Sequence, residues 1–504
     1  MSDPTPAARP PRVPGLIALT VAALLVRAAF LVLEPETRPV ADERTWTNWA
    51  IENLISEKVS FSPLRTHMVF YPPAYPYFIA LGYIAFGSLA GVKWLQVVVA
   101  SLLVPAVGRV GALAFSPRVG VVAAGVAAFY PELVWFSVHF WSETLFMVLL
   151  WWALERLLAA DRSASTGAAL AAGLLWGSAI LVRETALYFT PLAAAWLAWR
   201  RRHDRGWRRC ALFLAAAVLT VAPWTLRNWV VFRAFVPVST AGGLNLFQGN
   251  ARLTRQEVYD LYDAVHGRIE QYRYARRMGL QAIWDRQPAW LFEKMVEQMP
   301  NFWEADSLAL IHVKRGAYGP VAPGAAVAGA IVVLVPYLAV LALSLAGLAV
   351  LDPDRRRLLL MAFFAYYNLI HVVTHGFARY RLPVMPVLFL LAALGWTAWR
   401  HGAFGPAATA PPRSSGWRTA AAGVLGLLLL LALVPSFERN FRHPAFGFSP
   451  ADAGDPAGVS PGAPRDPPNG RDKPRDPPNG RDKPRDPSNG RDKPRDPPNG
   501  RDKP

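Results

Sequence analysis

The stretch PGLIALTVAALLVRAAFLVL, residues 14–33, is twenty residues of almost unbroken apolar character. As a helix rising about 1.5 Å per residue, a run of roughly 20 residues crosses the hydrocarbon core of a bilayer while satisfying its own backbone polar groups. Ten more runs of the same kind follow, at Lys93–Ala114, Val119–Trp135, Thr144–Leu158, Ala168–Leu181, Ala186–Trp199, Ala211–Val231, Ala325–Val350, Leu358–Val373, Leu382–Trp399 and Ala420–Val434. A chain of 504 residues with 53% hydrophobic residues, 17% charged residues and a positive mean hydropathy cannot hide so many runs in the cores of soluble domains. The expected fold class is an all-α polytopic membrane protein, a bundle of about eleven transmembrane helices. The shorter, proline-led run Ala74–Phe86 is expected at the interface or as a re-entrant helix.

Basic residues near span ends stay on the cytoplasmic side. Arg200, Arg201, Arg202, Arg205, Arg208 and Arg209 crowd one connection. Eleven crossings that put it inside also put inside Arg109 with Arg118, Arg156 with Arg162, Arg355 to Arg357, and Arg400 with Arg413 and Arg418. The N-terminus, with Arg9 and Arg12, is inside as well, and the first run reads as an uncleaved signal anchor because Glu34-Pro35-Glu36 follows it instead of a small-residue cleavage site. The net charge of +18 is then mostly topological bias, and no nucleic-acid partner is expected. The single cysteine, Cys210, excludes intramolecular disulfides and speaks against a cysteine metal site. Residues 437–504 form an outer tail ending in four near-copies of RDPPNGRDKP from Arg465, whose prolines and lack of apolar residues predict disorder.

Within a membrane domain of residues 1–436, two outer segments are large enough to hold a site, about 34–92 and 232–322. In the first, Asp42 and Glu43 are adjacent carboxylates at the water–lipid boundary, where a general base can work. In the second, Val258–Gln298 has helical composition, whereas the glycines of Ser239–Asn245 read as a loop.

The motifs, in order, are Ala41-Asp42-Glu43, Tyr71-Pro72-Pro73-Ala74-Tyr75-Pro76, Trp141-Ser142-Glu143-Thr144-Leu145, Val182-Arg183-Glu184-Thr185-Ala186, Pro223-Trp224-Thr225-Leu226-Arg227-Asn228 with Pro237 to Asn245, and Ala378-Arg379-Tyr380-Arg381-Leu382-Pro383. Together they resemble the GT-C superfamily of polyprenyl-phosphate-sugar glycosyltransferases, specifically glycosyltransferase family 39 with its protein O-mannosyltransferases and the lipid A aminoarabinose transferase. The resemblance covers Pro14 to about Trp399, and the topology puts every motif on the outer side. Where the aminoarabinose transferase has a Glu-Lys step before its proline this chain has Phe70-Tyr71, which favours the broader family.

The resemblance implies inverting transfer of a sugar from a lipid-phosphate donor in the plasma membrane to an extracytoplasmic lipid or protein acceptor. Asp42 matches the family's catalytic acidic position, and Glu43 and Glu143 match secondary acidic positions that orient the acceptor, hold the base or, in relatives that use one, approach a divalent metal. The leaving group is a phosphate, so fixed cations are needed where charge develops. Arg379 and Arg381 flanking Tyr380 fit that need, and Arg227 and Arg183, at outer span ends against the charge bias, are further candidates. No cofactor or obligatory metal is implied beyond the polyprenyl-phosphate sugar. His371 and His375, four residues apart without a third ligand, read as packing residues, and Trp135, Phe136, Phe140 and Trp141 as an interfacial aromatic belt. A multi-span transporter or a scaffold presenting the tail are the alternative classes; no repeat outside the tail and no mid-membrane ion site favours the first.

Overall fold

The computed structural model describes residues 13–34, 42–56, 69–199, 206–400, 416–443 and 446, and among these all regular structure is helical. The chain opens with α1 (Leu16–Leu33), α2 (Asp42–Asn48) continuing as a π-helical segment Trp49–Ser56, α3 (Ala74–Phe86), α4 (Leu89–Ser101) and α5 (Leu103–Ala114). There follow α6 (Pro117–Phe129), α7 (Pro131–Val138), α8 (Ser142–Ser163), α9 (Thr166–Val182), α10 (Thr185–Ala198) and α11 (Gly206–Phe232). The second outer segment holds α12 (Ala241–Asn250), α13 (Arg255–Asp263), α14 (Arg268–Trp284), α15 (Trp290–Phe302) and α16 (Leu308–Lys314). The chain closes with α17 (Pro323–Ala349), α18 (Arg355–Val373), a 3-10 turn Ala378–Val384, α19 (Met385–Arg400) and α20 (Gly416–Phe441).

Starts are written in the sequence. Ser88, Ser116 and Ser165 each accept from a backbone N–H of the first turn they precede, and Thr254 with Glu257 closes a reciprocal capping box on α13. Every apolar run of the sequence is a helix, but two are not straight. The run from Lys93 breaks at Leu102 between α4 and α5, and the run from Val119 bends by 53° between α6 and α7, where Tyr130 turns extended before Pro131. By length and composition five helical stretches can cross a membrane, or six with the bent pair counted as one span, among the described residues. Ile17, Leu25, Val218, Leu219, Leu430 and Leu431 stay exposed on α1, α11 and α20, an apolar surface that lipid covers in an integral membrane protein.

Ser239–Asn245 is not a loop: from Ala241 it is the first half of α12. Its glycines serve close approach instead, since a Cβ on Gly243 would sit 2.8 Å from the Tyr272 ring. The tail begins later than expected, because α20 runs on to Phe441; the decapeptide repeats and the basic residues Arg200 to Arg205 lie outside the described residues.

Two buried side chains satisfy carbonyls at the end of α6 and at the turn after α7. Arg27, in the middle of α1, is 1% exposed and donates to the carbonyls of Ala127 (3.1 Å) and Ala128 (3.0 Å), the free C-terminal end of α6. A guanidinium there satisfies orphan carbonyls and the negative end of the helix dipole together. Gln96 on α4 donates to the carbonyls of Phe136, Ser137 and His139 and accepts from the Tyr75 hydroxyl, fixing the turn between α7 and α8.

α17 and α19 pack backbone against backbone, for a Cβ on Gly347 would meet the Leu391 carbonyl at 1.9 Å and one on Gly395 the Leu343 carbonyl at 2.3 Å. Gly347→Val is expected to destabilise by at least about 1–3 kcal/mol, the range for an overpacked core. The midpoint of thermal unfolding in detergent reads this, with Gly125→Ala, where a Cβ meets nothing within 4 Å, leaving the midpoint unchanged or raised.

Candidate active site

α2 places Asp42 and Glu43 in its first turn, where negative charge is favoured. Successive helical residues project about 100° apart, so two adjacent carboxylates cannot share one environment. Asp42 faces outward: its side chain is 40% exposed and its Oδ2 lies 2.6 Å from Nη1 of Arg379. Glu43 faces inward at 3% exposure.

Arg379 comes from the 3-10 turn before α19. Its guanidinium lies 4.9 Å from the Trp141 ring and 4.8 Å from the Tyr380 ring and donates to the Tyr380 hydroxyl at 3.0 Å. Tyr380 is held in turn by His371, whose ring stacks on it at 4.8 Å, and by His375, whose Nε2 is 3.4 Å from its hydroxyl. Across the same ring, at 5.6 Å, sits Arg183, the residue that ends α9. Arg183 Nη1 is 2.8 Å from Glu143 Oε1 and donates to Ser142 Oγ at 3.1 Å, both in the first turn of α8. Asp42, Arg379, Tyr380, Arg183 and Glu143 are thus one contiguous group drawn from four distant parts of the chain. Tyr71, from the proline-led motif, packs on Trp46 of α2 at 4.9 Å, and burial and the charge of Asp42 push its hydroxyl well above the usual range.

Arg381 and Arg227 are not part of that group. Two residues along a 3-10 turn project about 120° apart, so Arg381 turns away from Arg379. It is fully buried and donates to the carbonyls of Glu304 (2.7 Å) and Asp306 (2.6 Å), over the Tyr337 ring and 3.9 Å from Glu132. This corrects the expectation of a phosphate ligand: Arg381 is enclosed away from Asp42, and its two Nη groups hold the backbone between α15 and α16. Arg227 donates to Asn228 and lies over Trp224 and Phe232, all on its own helix. The aromatic belt is corrected too. Trp135, Phe136, Phe140 and Trp141 are each at most 4% exposed, so they line the site's interior and not a lipid interface.

Glu184, the neighbour of Arg183, ties two motifs together by accepting from the Ser239 hydroxyl at 3.0 Å. Burial pushes its carboxyl up to about 7 against the opposing hydrogen bonds from Ser239 and Gly242.

Behind Asp42, Glu43 stands among residues of which the sequence did not single out His139, His312 and Tyr318. His139 Nδ1 is 3.3 Å from Glu43 Oε1, and its Nε2 is 2.8 Å from Glu34 Oε1. The Phe140 N–H donates to Glu43 at 3.0 Å, and His312 on α16 brings its Nε2 to 4.0 Å. Trp135 stacks on His139 at 3.9 Å and donates to Tyr318, whose hydroxyl donates to Glu34. Burial opposes the charge of Glu43, but the two histidines and the Phe140 N–H hold its carboxyl well below the usual range. His139 is four residues before Glu143, inside the aromatic run; His312 carries no local signal at all.

Residues 71–226 match the family described as dolichyl-phosphate-mannose-protein mannosyltransferase. Among curated proteins none matches the sequence. Similar solved structures include the Archaeoglobus fulgidus oligosaccharyltransferase in its apo form, at 14% identity and a TM-score of 0.47 over 86% of this chain. The same enzyme with an inhibitory peptide and a dolichol-phosphate gives 16% and 0.44, again over 86% of this chain. ArnT from Cupriavidus metallidurans bound to undecaprenyl phosphate gives 15% and 0.43 over 86% of this chain and 75% of its own. The chain spans 56% of the length of the oligosaccharyltransferase in either form.

Arg381→Met strips the donors from Glu304 and Asp306 and leaves Glu132 without a cation, and is expected to cost about 3–5 kcal/mol, read as a lower thermal midpoint. A carboxyl whose pKa is raised on folding stabilises the fold while protonated, and that contribution is lost as pH rises from about 4.5 through about 7. Glu184→Gln is therefore expected to flatten the fall of the thermal midpoint across this window.

Proposed function

We propose that this protein is an integral membrane glycosyltransferase that moves a sugar from a polyprenyl-phosphate donor to an acceptor hydroxyl outside the cytoplasm. The observation that carries this reading is the convergence of one half-exposed carboxylate, Asp42, with the guanidinium groups of Arg379 and Arg183 around Tyr380. Those are the parts such a transfer needs. Asp42 takes the proton of the acceptor hydroxyl as its oxygen bonds to the anomeric carbon, while the bond from that carbon to the phosphate oxygen breaks on the opposite face and the configuration inverts. The charge left on the phosphate falls to Arg379, with Arg183 beside it, and these fixed cations carry it without a metal at the reacting atoms. Glu143 holds Arg183, and Tyr380 keeps the two cations at a set spacing.

The donor class follows the description of the matched family, which names a polyprenyl-phosphate sugar. The partners are that lipid-linked sugar, a lipid or protein acceptor and the surrounding membrane lipids. In this reading the eleven apolar helices all cross the plasma membrane, some as broken or tilted spans, with the N-terminus cytoplasmic and the segments 34–92 and 232–322 and the tail outside. That orientation rests on the arginine-rich connections; Arg183 and Arg379 run against the bias and are held by Glu143 and Asp42.

Asp42→Asn keeps the shape of the residue and removes the base. Transfer from a labelled polyprenyl-phosphate sugar in membranes is expected to fall by about 100-fold or more, with the thermal midpoint little changed. Unchanged turnover in that variant removes Asp42 from the mechanism.

A further inference from the structure

Glu43, His139 and His312 each turn one ligand-type atom towards a common point, with all three atoms within 4.8 Å of one another. Both imidazoles are fully buried, and the Glu43 side chain is 3% exposed. Each ring is already oriented from behind. His312 Nδ1 is 2.9 Å from the Leu308 carbonyl, an acceptor only, so the proton sits on Nδ1 and Nε2 carries a free lone pair aimed at Glu43. His139 Nε2 is 2.8 Å from the Glu34 carboxylate, which orients the ring, and its Nδ1 faces Glu43 Oε1 at 3.3 Å, where a metal would take the place of a proton. Carboxylate–histidine and carbonyl–histidine supports of this kind are how metal-binding imidazoles are held.

A single proton shared between His139 and Glu43 does not complete this arrangement. It leaves His312 Nε2 and Glu43 Oε2 buried with no hydrogen-bond partner, as they stand. Nor does an arginine or lysine serve: among the described residues the ion pairs of Glu34 and Glu43 are with histidines alone. One divalent cation in place of the proton between His139 Nδ1 and Glu43 balances the two buried carboxylates and also engages both orphan atoms. Two nitrogens and a carboxylate oxygen suit zinc, whose ligands at about 2.0–2.2 Å in a tetrahedron lie about 3.3 Å apart. His139 Nδ1 lies 3.3 Å from Glu43 Oε1 and His312 Nε2 4.0 Å from Glu43 Oε2, and the three ligand atoms, within 4.8 Å of one another, close to that spacing by rotation of the carboxylate and the His312 ring.

We propose that Glu43, His139 and His312 bind a zinc ion, with water as fourth ligand, as a positioning site that locks the first turn of α2 and so the direction of the neighbouring Asp42. The zinc lies behind the carboxylate cluster and not at the reacting atoms. The proposal stands apart from the transferase reading, because metal content is measured without any transfer assay.

The full chain, purified in detergent without a histidine tag, is exposed to zinc chloride, freed of unbound metal by gel filtration and analysed by plasma mass spectrometry. About one zinc per chain is expected. The His139→Ala/His312→Ala double variant should hold almost none, while His266→Ala, at an exposed histidine, keeps the full amount. If the double variant does not fold, two further measurements decide. Glu34→Gln, which keeps all three ligands but weakens the support of His139, is expected to bind zinc on the order of tenfold more weakly. Cobalt(II) in the native chain should give the intense visible bands of a four-coordinate nitrogen and oxygen site. A native chain that emerges free of zinc overturns the proposal, as does a double variant that holds as much as the native chain, or cobalt that stays in the pale six-coordinate aqua form.

Discussion

A helix end buried in the protein leaves carbonyls that no water can reach, and the architecture depends on how those carbonyls are satisfied. Three breaks are closed by three long polar side chains from distant helices: Arg27 at the end of α6, Gln96 at the turn after α7, and Arg381 at the segment between α15 and α16. Each clamp is also a joint. Gln96 fixes the turn that carries His139 and Trp141, and Arg381 fixes the approach to α16 and its His312. The outer face is irregular where the candidate site lies because irregular backbone is tolerated there only in the company of these donors.

Asp42 and Glu43 illustrate how one local choice produces two chemistries. They are neighbours in sequence with the same functional group, yet one faces a guanidinium at a half-exposed surface and the other is enclosed by imidazoles and a backbone N–H. The helical phase angle separates them by more than their distance along the chain does. The same phase argument divides Arg379 from Arg381 on the 3-10 turn, sending one to the cluster and the other to the scaffold.

Much of this was legible in the sequence. Apolar runs report helices directly, since the solvent they face is fixed by their composition, and every such run is helical. The grouping of Asp42, Glu143, Arg183, Arg379 and Tyr380 followed from motif order and from placing all of them at one side of the membrane. What escaped was set by tertiary contact. Hydropathy does not register a change of direction, so the breaks at Leu102 and Tyr130 were invisible. Glycines in Ser239–Asn245 looked like turn residues, but Gly242 and Gly243 make room for Glu184 and Tyr272 within a helix. His312 is an isolated histidine on a seven-residue helix, and only folding brings it to Glu43. Arg381 had the right composition and the wrong phase.

The clamp at Arg27 has a consequence for biosynthesis. Its guanidinium reaches carbonyls that lie 100 and 101 residues further along the chain. A charge in the middle of an apolar helix is costly until it is paired. This helix is therefore completed by a segment that does not yet exist when it leaves the ribosome, and it takes its final seat only after α6 has been made. Insertion of this chain is a process in which the N-terminal segment waits for its successors, so the order of synthesis and the order of assembly are not the same.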